Sequence, residues 1–194
     1  MPAAAGTKVP PPRRQTLVLA AYRQLAEHGF EGLRTRQVAA AAGVNVATLH
    51  YYFPSKEALI EAVLGHTMER FRSTVGGSAS TGDQLRQHFA GIRRLQREEP
   101  ELFTVMGELA LRAARDPAVR VLYQKTTAIW RQTVRAMLVK ASADGSLAEL
   151  RDPDSQASLV VATIMGACMM PVGRPATRRE ALQELQRALG LDPR

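Results

Sequence analysis

The chain has 194 residues, a formal net charge of +8, a pI near 10.4 and 45% hydrophobic residues. That length supports one core, or a small head beside a larger body, and the lone Cys168 excludes a disulfide framework and a CxxC metal site. The basic balance suits a polyanionic partner, and Pro10-Pro11-Pro12 stands where a secretory leader needs an apolar run, so a cytoplasmic protein is expected.

Residues 1–12, rich in Pro and Ala, read as a disordered tail. A first helix follows from about Arg13 to His28, with Leu17, Ala21 and Leu25 on one face and Gly29 ending it. Thr35–Ala42 forms a second short helix. Gly43 sits at the reversal, where a residue free to take positive φ is favoured, and Asn45 caps a third helix. That helix stops before Pro54, because the ring pushes Phe53 out of the helical region. Ser55 then caps a fourth helix over 56–75, with Glu57 in its first turn and Leu59, Ile60, Val63, Leu64, Met68 and Phe71 facing a core.

The glycine- and serine-rich stretch 76–82 reads as a loop; without a preceding strand or a Gly-Lys-Ser/Thr ending it is no phosphate-binding loop. A fifth helix carries Leu85, His88, Phe89, Ile92 and Leu95 and is closed by Pro100, and a sixth, from Leu102 to Ala114, is apolar nearly all round. Asp116-Pro117 opens a seventh helix reaching about Ala143, roughly 40 Å at 1.5 Å per residue. Asp152-Pro153 opens an eighth, ending before Pro171. The uncharged run Ser155 to Gly173, which overlaps it, holds Gln156, Thr163 and Pro171, so it reads as a buried helix and not a membrane span. Thr177 and Glu180 have the spacing of a capping box for a ninth helix bearing Leu182, Leu185 and Leu189. The fold class expected is all-α, with nine helices and no strand.

A helix, a glycine turn and a second helix form a helix-turn-helix, the arrangement that reads the major groove. Charge gathers around it. Residues 1–56 hold Lys8, Arg13, Arg14, Arg23, Arg34, Arg36 and Lys56 against Glu27 and Glu31, a net +5 of the chain's +8. Residues 13–56 resemble the N-terminal domain of the TetR/AcrR family of bacterial one-component transcriptional regulators. The match rests on Leu25 to Gly29, Phe30, the Thr35–Ala42 helix, Gly43-Val44, Thr48-Leu49 and Tyr52-Phe53-Pro54-Ser55-Lys56, running into Glu57-Ala58-Leu59. His50 stands where many members carry a tyrosine.

The resemblance implies a helix-turn-helix head over 13–56, a connecting helix over 56–75 and a ligand-binding and dimerisation body over 76–194. It further implies a homodimer on a near-palindromic double-stranded DNA operator, repression as the usual outcome, and release by a small hydrophobic effector. Family DNA contacts fall on Thr35, Arg36, Val46, Ala47, Thr48, His50, Tyr52 and Lys56. The chemistry suits them: hydroxyls and cations for phosphates, apolar Val46 and Ala47 for a thymine methyl, and His50 for guanine N7 or a phosphate. Thr35 can equally cap its helix. Leu49 and Phe53 are expected in the core, Tyr51 against the first helix, and Arg34 as solvated charge.

In the body, Phe103, Met106, Leu109, Tyr123, Trp130, Val134 and Met137 lie where family members enclose an effector cavity. The same spacing describes a packed core, and both readings stand. Trp130 carries an N–H that needs a partner if buried. In the family the last two helices pair with their symmetry mates, which assigns an interface to Leu159, Thr163, Gly166, Ala167 and Met170 with Leu182, Leu185 and Leu189. The breadth of the apolar surface on the eighth helix agrees with this, because such a helix needs cover on more than one side; the competing reading packs the run inside the monomer. Transmission is expected through the fourth helix, whose far end lies near Met68 and Phe71.

No metal-ligand spacing joins His28, His50, His66 and His88 to acids or Cys168, and no nucleophile elbow or dinucleotide fingerprint occurs. No catalytic residue, metal or cofactor is therefore assigned, and no membrane association is expected. The alternative is a DNA-binding regulator of the same fold whose body takes a protein partner and no small ligand.

Overall fold

A computed structural model describes residues 12–75, 80–147, 152–169 and 175–191 of the chain. Among them the regular elements are helices: α1 (Arg13–Gly32), α2 (Thr35–Ala41), α3 (Val46–Tyr52), α4 (Lys56–Arg72), α5 (Thr81–Glu98), α6 (Pro100–Ala113), α7 (Pro117–Ala143), α8 (Pro153–Met169) and α9 (Pro175–Ala188). None is long and apolar enough to cross a membrane.

Local chemistry sets most boundaries. The α2–α3 turn places Gly43 at φ +68°, with Gly43 N–H donating to Ala40 O and Val44 N–H to Ala39 O, both at 3.0 Å. These two bonds satisfy carbonyls that the helix end leaves open. Asn45 Oδ1 then accepts from Thr48 N–H at 2.7 Å to start α3, and Ser55 Oγ accepts from Ala58 N–H at 3.1 Å to start α4. Asp116 caps α7 by accepting from Ala118 and Val119 N–H, with proline in the first turn.

Several boundaries differ from the sequence pattern. Gly29 (φ +65°) bends α1, and a further turn through Phe30 follows before the chain leaves the helix. Arg34 holds the cap position of α2, so Thr35 is the first helical residue and not the cap. The break after α4 ends earlier than 82, because Ser80 Oγ accepts from Asp83 N–H and α5 starts at Thr81. The helix ending α4 stops at Arg72, short of 75. α9 already begins at Pro175, which puts Thr177 inside the helix instead of capping it. Residues 1–11 of the expected tail, and Met170, lie outside the described residues.

Helix α7, with 27 residues, is the spine, packed against α4, α5, α6 and α8. The head, α1 to α3, meets the body where α1 packs on α4 and α6. Leu17, Leu25, Leu49 and Phe53 fill the head core. In the body, Phe71 stacks on Trp130 (centroids 5.1 Å apart, planes 18°) and meets Phe103 edge-on at 5.6 Å. Burying such aromatic groups supplies much of the apolar driving force, with ring–ring geometry adding about 0.5–1.5 kcal/mol per pair.

Candidate DNA-binding face and body cavity

The outward face of α3 carries Ala47, His50 and Tyr51, and all three are exposed. Tyr51 is 82% exposed with its ring edge-on to Tyr52, so it does not pack against α1 as the pattern suggests. Tyr52 and Val46 are the half-buried members, packed against the head core, which limits what they can offer a groove. Tyr51 was recoverable from spacing, since it lies four residues after Ala47 and shares its helical face. Thr48 Oγ1 donates to Asn45 Oδ1 at 2.9 Å, and must give up that bond before donating to a phosphate.

Two grooves flank this face. One, about 490 Å³, is lined by Leu33, Arg34, Thr35, Arg36, Gln37 and Lys56, so Arg34 joins the cations around Thr35. The other, about 370 Å³, is lined by Arg13, Thr16, residues 42–45 and Thr48. The Lys56 ammonium lies 4.3 Å from the centroid of Phe30, whose ring the Arg112 guanidinium also approaches at 4.4 Å. Partial burial, more than any neighbouring charge, holds the Lys56 pKa below its ordinary value. Arg36 is exposed and, among the described residues, makes no ion pair.

The head is latched to the body beside that ring. Phe30 N–H donates to Glu108 Oε2 at 3.1 Å, and Arg112 of α6 pairs with Glu31 at 3.0 Å while also gripping Asp116 at 2.9 Å. Gly29 makes the first bond possible. A Cβ there would stand 3.0 Å from Glu108 Oε2, and its positive φ turns the chain toward α6. The contact between head and body therefore runs through α6 as well as α4.

In the body, Phe103, Met106 and Leu109 are fully buried, and Val134 and Met137 nearly so. Tyr123 is half-buried and donates its hydroxyl to Met165 Sδ at 2.9 Å; burial raises its pKa. A cavity of about 210 Å³ does touch one of the sequence candidates, Trp130, but it lies between α4 and α7 instead of α6 and α7. Glu61, Gly65, Met68, Arg72, Lys125, Thr126, Ile129 and Thr133 complete its walls. The indole N–H of Trp130 is buried without a hydrogen-bond partner, contrary to what its burial leads one to expect. Among the described residues no three His, Cys, Asp or Glu side chains gather as a metal site.

The resemblance assigns Leu182, Leu185 and Leu189 to an interface with a partner subunit. The structure buries all three within the chain, as it does Ala167, with α9 packed on α5 and α8. What α8 leaves uncovered is a stripe of Leu159, Ala162, Gly166 and Met169, with Thr163 half-exposed beside it.

The family model described as bacterial regulatory proteins, tetR family, matches residues 17–63, the head and the first half of α4. The HTH-type transcriptional regulator RutR of Escherichia coli (strain K12) is 42% identical over 57 residues, which are 29% of this chain and 27% of that one. The chain thus spans about a quarter of the length of that curated relative. A TetR-family transcriptional regulator from Rhodococcus sp. superimposes with a TM-score of 0.81 at 26% identity, covering 94% of this chain and 98% of that one. A transcriptional regulator from Saccharomonospora viridis, solved in complex with choline, gives 0.73 at 20% identity over 90% and 95%. With its glycine-turned helix-turn-helix, its basic head and its helical body, the chain belongs to the TetR family of bacterial transcriptional regulators, with the DNA-binding domain at its N-terminal side.

Proposed function

We propose that this regulator binds a near-palindromic operator as a homodimer, represses from it, and is released by a small molecule entering the body. The observation that carries the reading is the outward face of the head. There Ala47, His50 and Tyr51 project between two grooves lined by Arg13, Arg34, Thr35, Arg36 and Lys56. Cations and hydroxyls at the flanks suit phosphates, and the α3 residues between them suit base edges. The domain division assigned to the sequence, a head over 13–56 and a ligand-binding and dimerisation body over 76–194, belongs to this proposal.

Dimerisation is supported by the α8 stripe. Leu159 is 51% and Met169 53% exposed, and at Gly166 an added Cβ would meet nothing within 4 Å. A self-complementary surface of that kind suits an isologous two-fold contact. Effector release is supported by the α4–α7 cavity and by the latch, since a shift of α4 or α6 acts on Phe30 and Lys56 together. A hundred-fold loss of DNA affinity corresponds to about 2.7 kcal/mol of coupling between the two sites. The choline complex belongs to a neighbour of the same fold and lends support only to the idea that such bodies hold small molecules.

Footprinting on the DNA upstream of its own gene, with sedimentation in parallel, tests the reading. The expected result is a dimer protecting two half-sites about 34 Å apart, or a small multiple of that. Gly166→Arg should give monomers with no footprint, and His50→Ala should change the order of preference among operator variants. A wild-type monomer at micromolar concentration that still protects DNA would overturn the dimeric reading.

A further inference from the structure

Arg112 of α6 is fastened to the body and offers one nitrogen to the head. Its Nε and Nη2 donate to Asp116 Oδ2 at 3.0 and 2.9 Å, while Nη1 donates to Glu31 Oε1 at 3.0 Å. Asp116 is itself held, because its other oxygen caps α7 at Ala118 and Val119. A planar guanidinium fixed through two nitrogens has little freedom of its own. Arg112 therefore goes where α6 and the start of α7 go.

Glu31 is the loose member. Its side chain is 87% exposed, and its ion-pair partner among the described residues is Arg112. A second cation stands close by. Arg112 and Lys56 approach the same Phe30 ring, at 4.4 and 4.3 Å from its centroid, and Phe30 directly precedes Glu31. Burial is the main reason that the Lys56 pKa lies below its ordinary value, and Glu31, which raises it, is the strongest of the charges acting on it. Glu57, also near, is hydrogen-bonded to Ser55 and to its own backbone N–H at the start of α4.

One carboxylate stands between two cations and can meet only one of them at close range. While Arg112 holds it, Lys56 lines the groove of Arg34, Thr35 and Arg36 with the Phe30 ring as its neighbour. A part-exposed pair such as Glu31 and Arg112 is weak enough to be exchanged.

We propose that Glu31 is an exchangeable carboxylate: Arg112 keeps it from Lys56 while the head is latched, and a movement of α6 that withdraws Arg112 hands Glu31 to Lys56, which then no longer serves a DNA phosphate. Arg112 is a positioning residue for a DNA contact that it does not itself make. This deepens the regulatory reading above and rests on its placing of a phosphate at Lys56.

A phosphate contact is blind to sequence, so a random-sequence duplex serves as the probe, with full-length protein and fluorescence anisotropy over a range of salt. Arg112→Met removes the charge and every donor but keeps a stem for the Phe30 ring. It should weaken binding about fivefold and lower the salt slope by up to about one, because Lys56 then meets DNA already neutralised. Adding Glu31→Gln should restore both to within about twofold of wild type, although Glu31→Gln alone changes them by less than that. With Lys56→Ala in place, neither substitution should have a further effect. A merely structural loosening of the latch would persist when Glu31 is also changed, so the rescue separates the two roles. Should Arg112→Met fail to fold, Arg112→Gln, which keeps a neutral donor for Asp116, should give the same pattern. Wild-type binding by the Arg112 variant, or a loss that Glu31→Gln does not restore, would overturn the exchange and leave the Lys56 contact standing. Lys56→Ala with wild-type affinity and slope would instead sink that contact, and the exchange with it.

Discussion

In the head, Arg13, Arg23, Arg34 and Arg36 make no ion pair among the described residues, whereas in the body Arg70, Arg86, Arg131 and Arg135 each meet a carboxylate. Both regions are rich in arginine, so composition alone does not separate them. What separates them is where the acids stand. Body acids lie one helical turn from a cation, as Asp83 does from Arg86, or on a facing helix, as Asp154 does from Arg131 and Arg135. The head offers only Glu27 and Glu31, and Glu31 is taken by Arg112 from the body. Head cations are left in water, where a phosphate can replace counterions without first breaking an internal pair. Arginines of the head thus stand free of acids among the described residues, whereas these four of the body are each paired with one.

The contrast predicts that stability resides in the body and DNA affinity in the head. The largest expected effect is on stability. Phe71 is fully buried between Phe103 and Trp130, and Phe71→Ala should cost about 3–5 kcal/mol in denaturant unfolding. A loss below about 1 kcal/mol would mean that this aromatic cluster is not the centre of the core.

Next comes pH. Burial depresses the His88 pKa from 6.5 to about 4, so below pH 6.5 the unfolded chain takes up a proton that the folded one refuses. Stability should be full above pH 6.5 and decline as the pH falls toward about 4, by about 3 kcal/mol in all. His88→Leu should flatten that part of the curve. A wild-type curve already flat between pH 6.5 and 4 would place a charge or solvent beside this imidazole.

The third effect is on DNA. Lys56→Ala and Arg36→Ala should each weaken binding to all sequences about tenfold and reduce the salt slope by about one. Melting should scarcely change for Arg36→Ala, because that side chain is exposed. Lys56→Ala also loses the contact with Phe30, an interaction of about 0.5–1 kcal/mol. An unchanged salt slope in both variants would move the phosphate contacts elsewhere on the head.

How far the sequence carries can be judged from particular residues. Asn45, Ser55, Gly43 and Asp116-Pro117 announce their helix ends because capping and reversal are settled within four or five residues. The burial of Leu49 and Phe53 follows from period alone. Tyr51 is misplaced on α1, although its four-residue spacing from Ala47 already sets it on the face opposite Leu49 and Phe53. For Leu182, Leu185 and Leu189 the limit is a different one: periodicity identifies an apolar face but not whether the chain itself or a second copy covers it, and here the chain itself buries them. The cavity is further out of reach. Its walls come from α4 and α7, and the unpaired Trp130 N–H depends on three side chains meeting from α4, α5 and α7.

The smallest effect completes the comparison from the body's side. Arg135 donates to Asp154 at 2.9 Å, but Arg131 reaches the same carboxylate at 3.2 Å, and all three side chains are substantially exposed. Surface pairs of this kind contribute about 0–1 kcal/mol, and here the second arginine keeps the acid paired when the first is removed. Arg135→Ala should therefore change stability by less than about 0.5 kcal/mol and leave both DNA affinity and salt slope at wild-type values. It removes the same formal charge as Arg36→Ala, so the two variants isolate position from net charge. Equal weakening of DNA binding would mean that the chain attracts DNA through its overall charge. A wild-type slope in Arg135→Ala beside a reduced one in Arg36→Ala would assign the counterion release to the unpaired cations of the head.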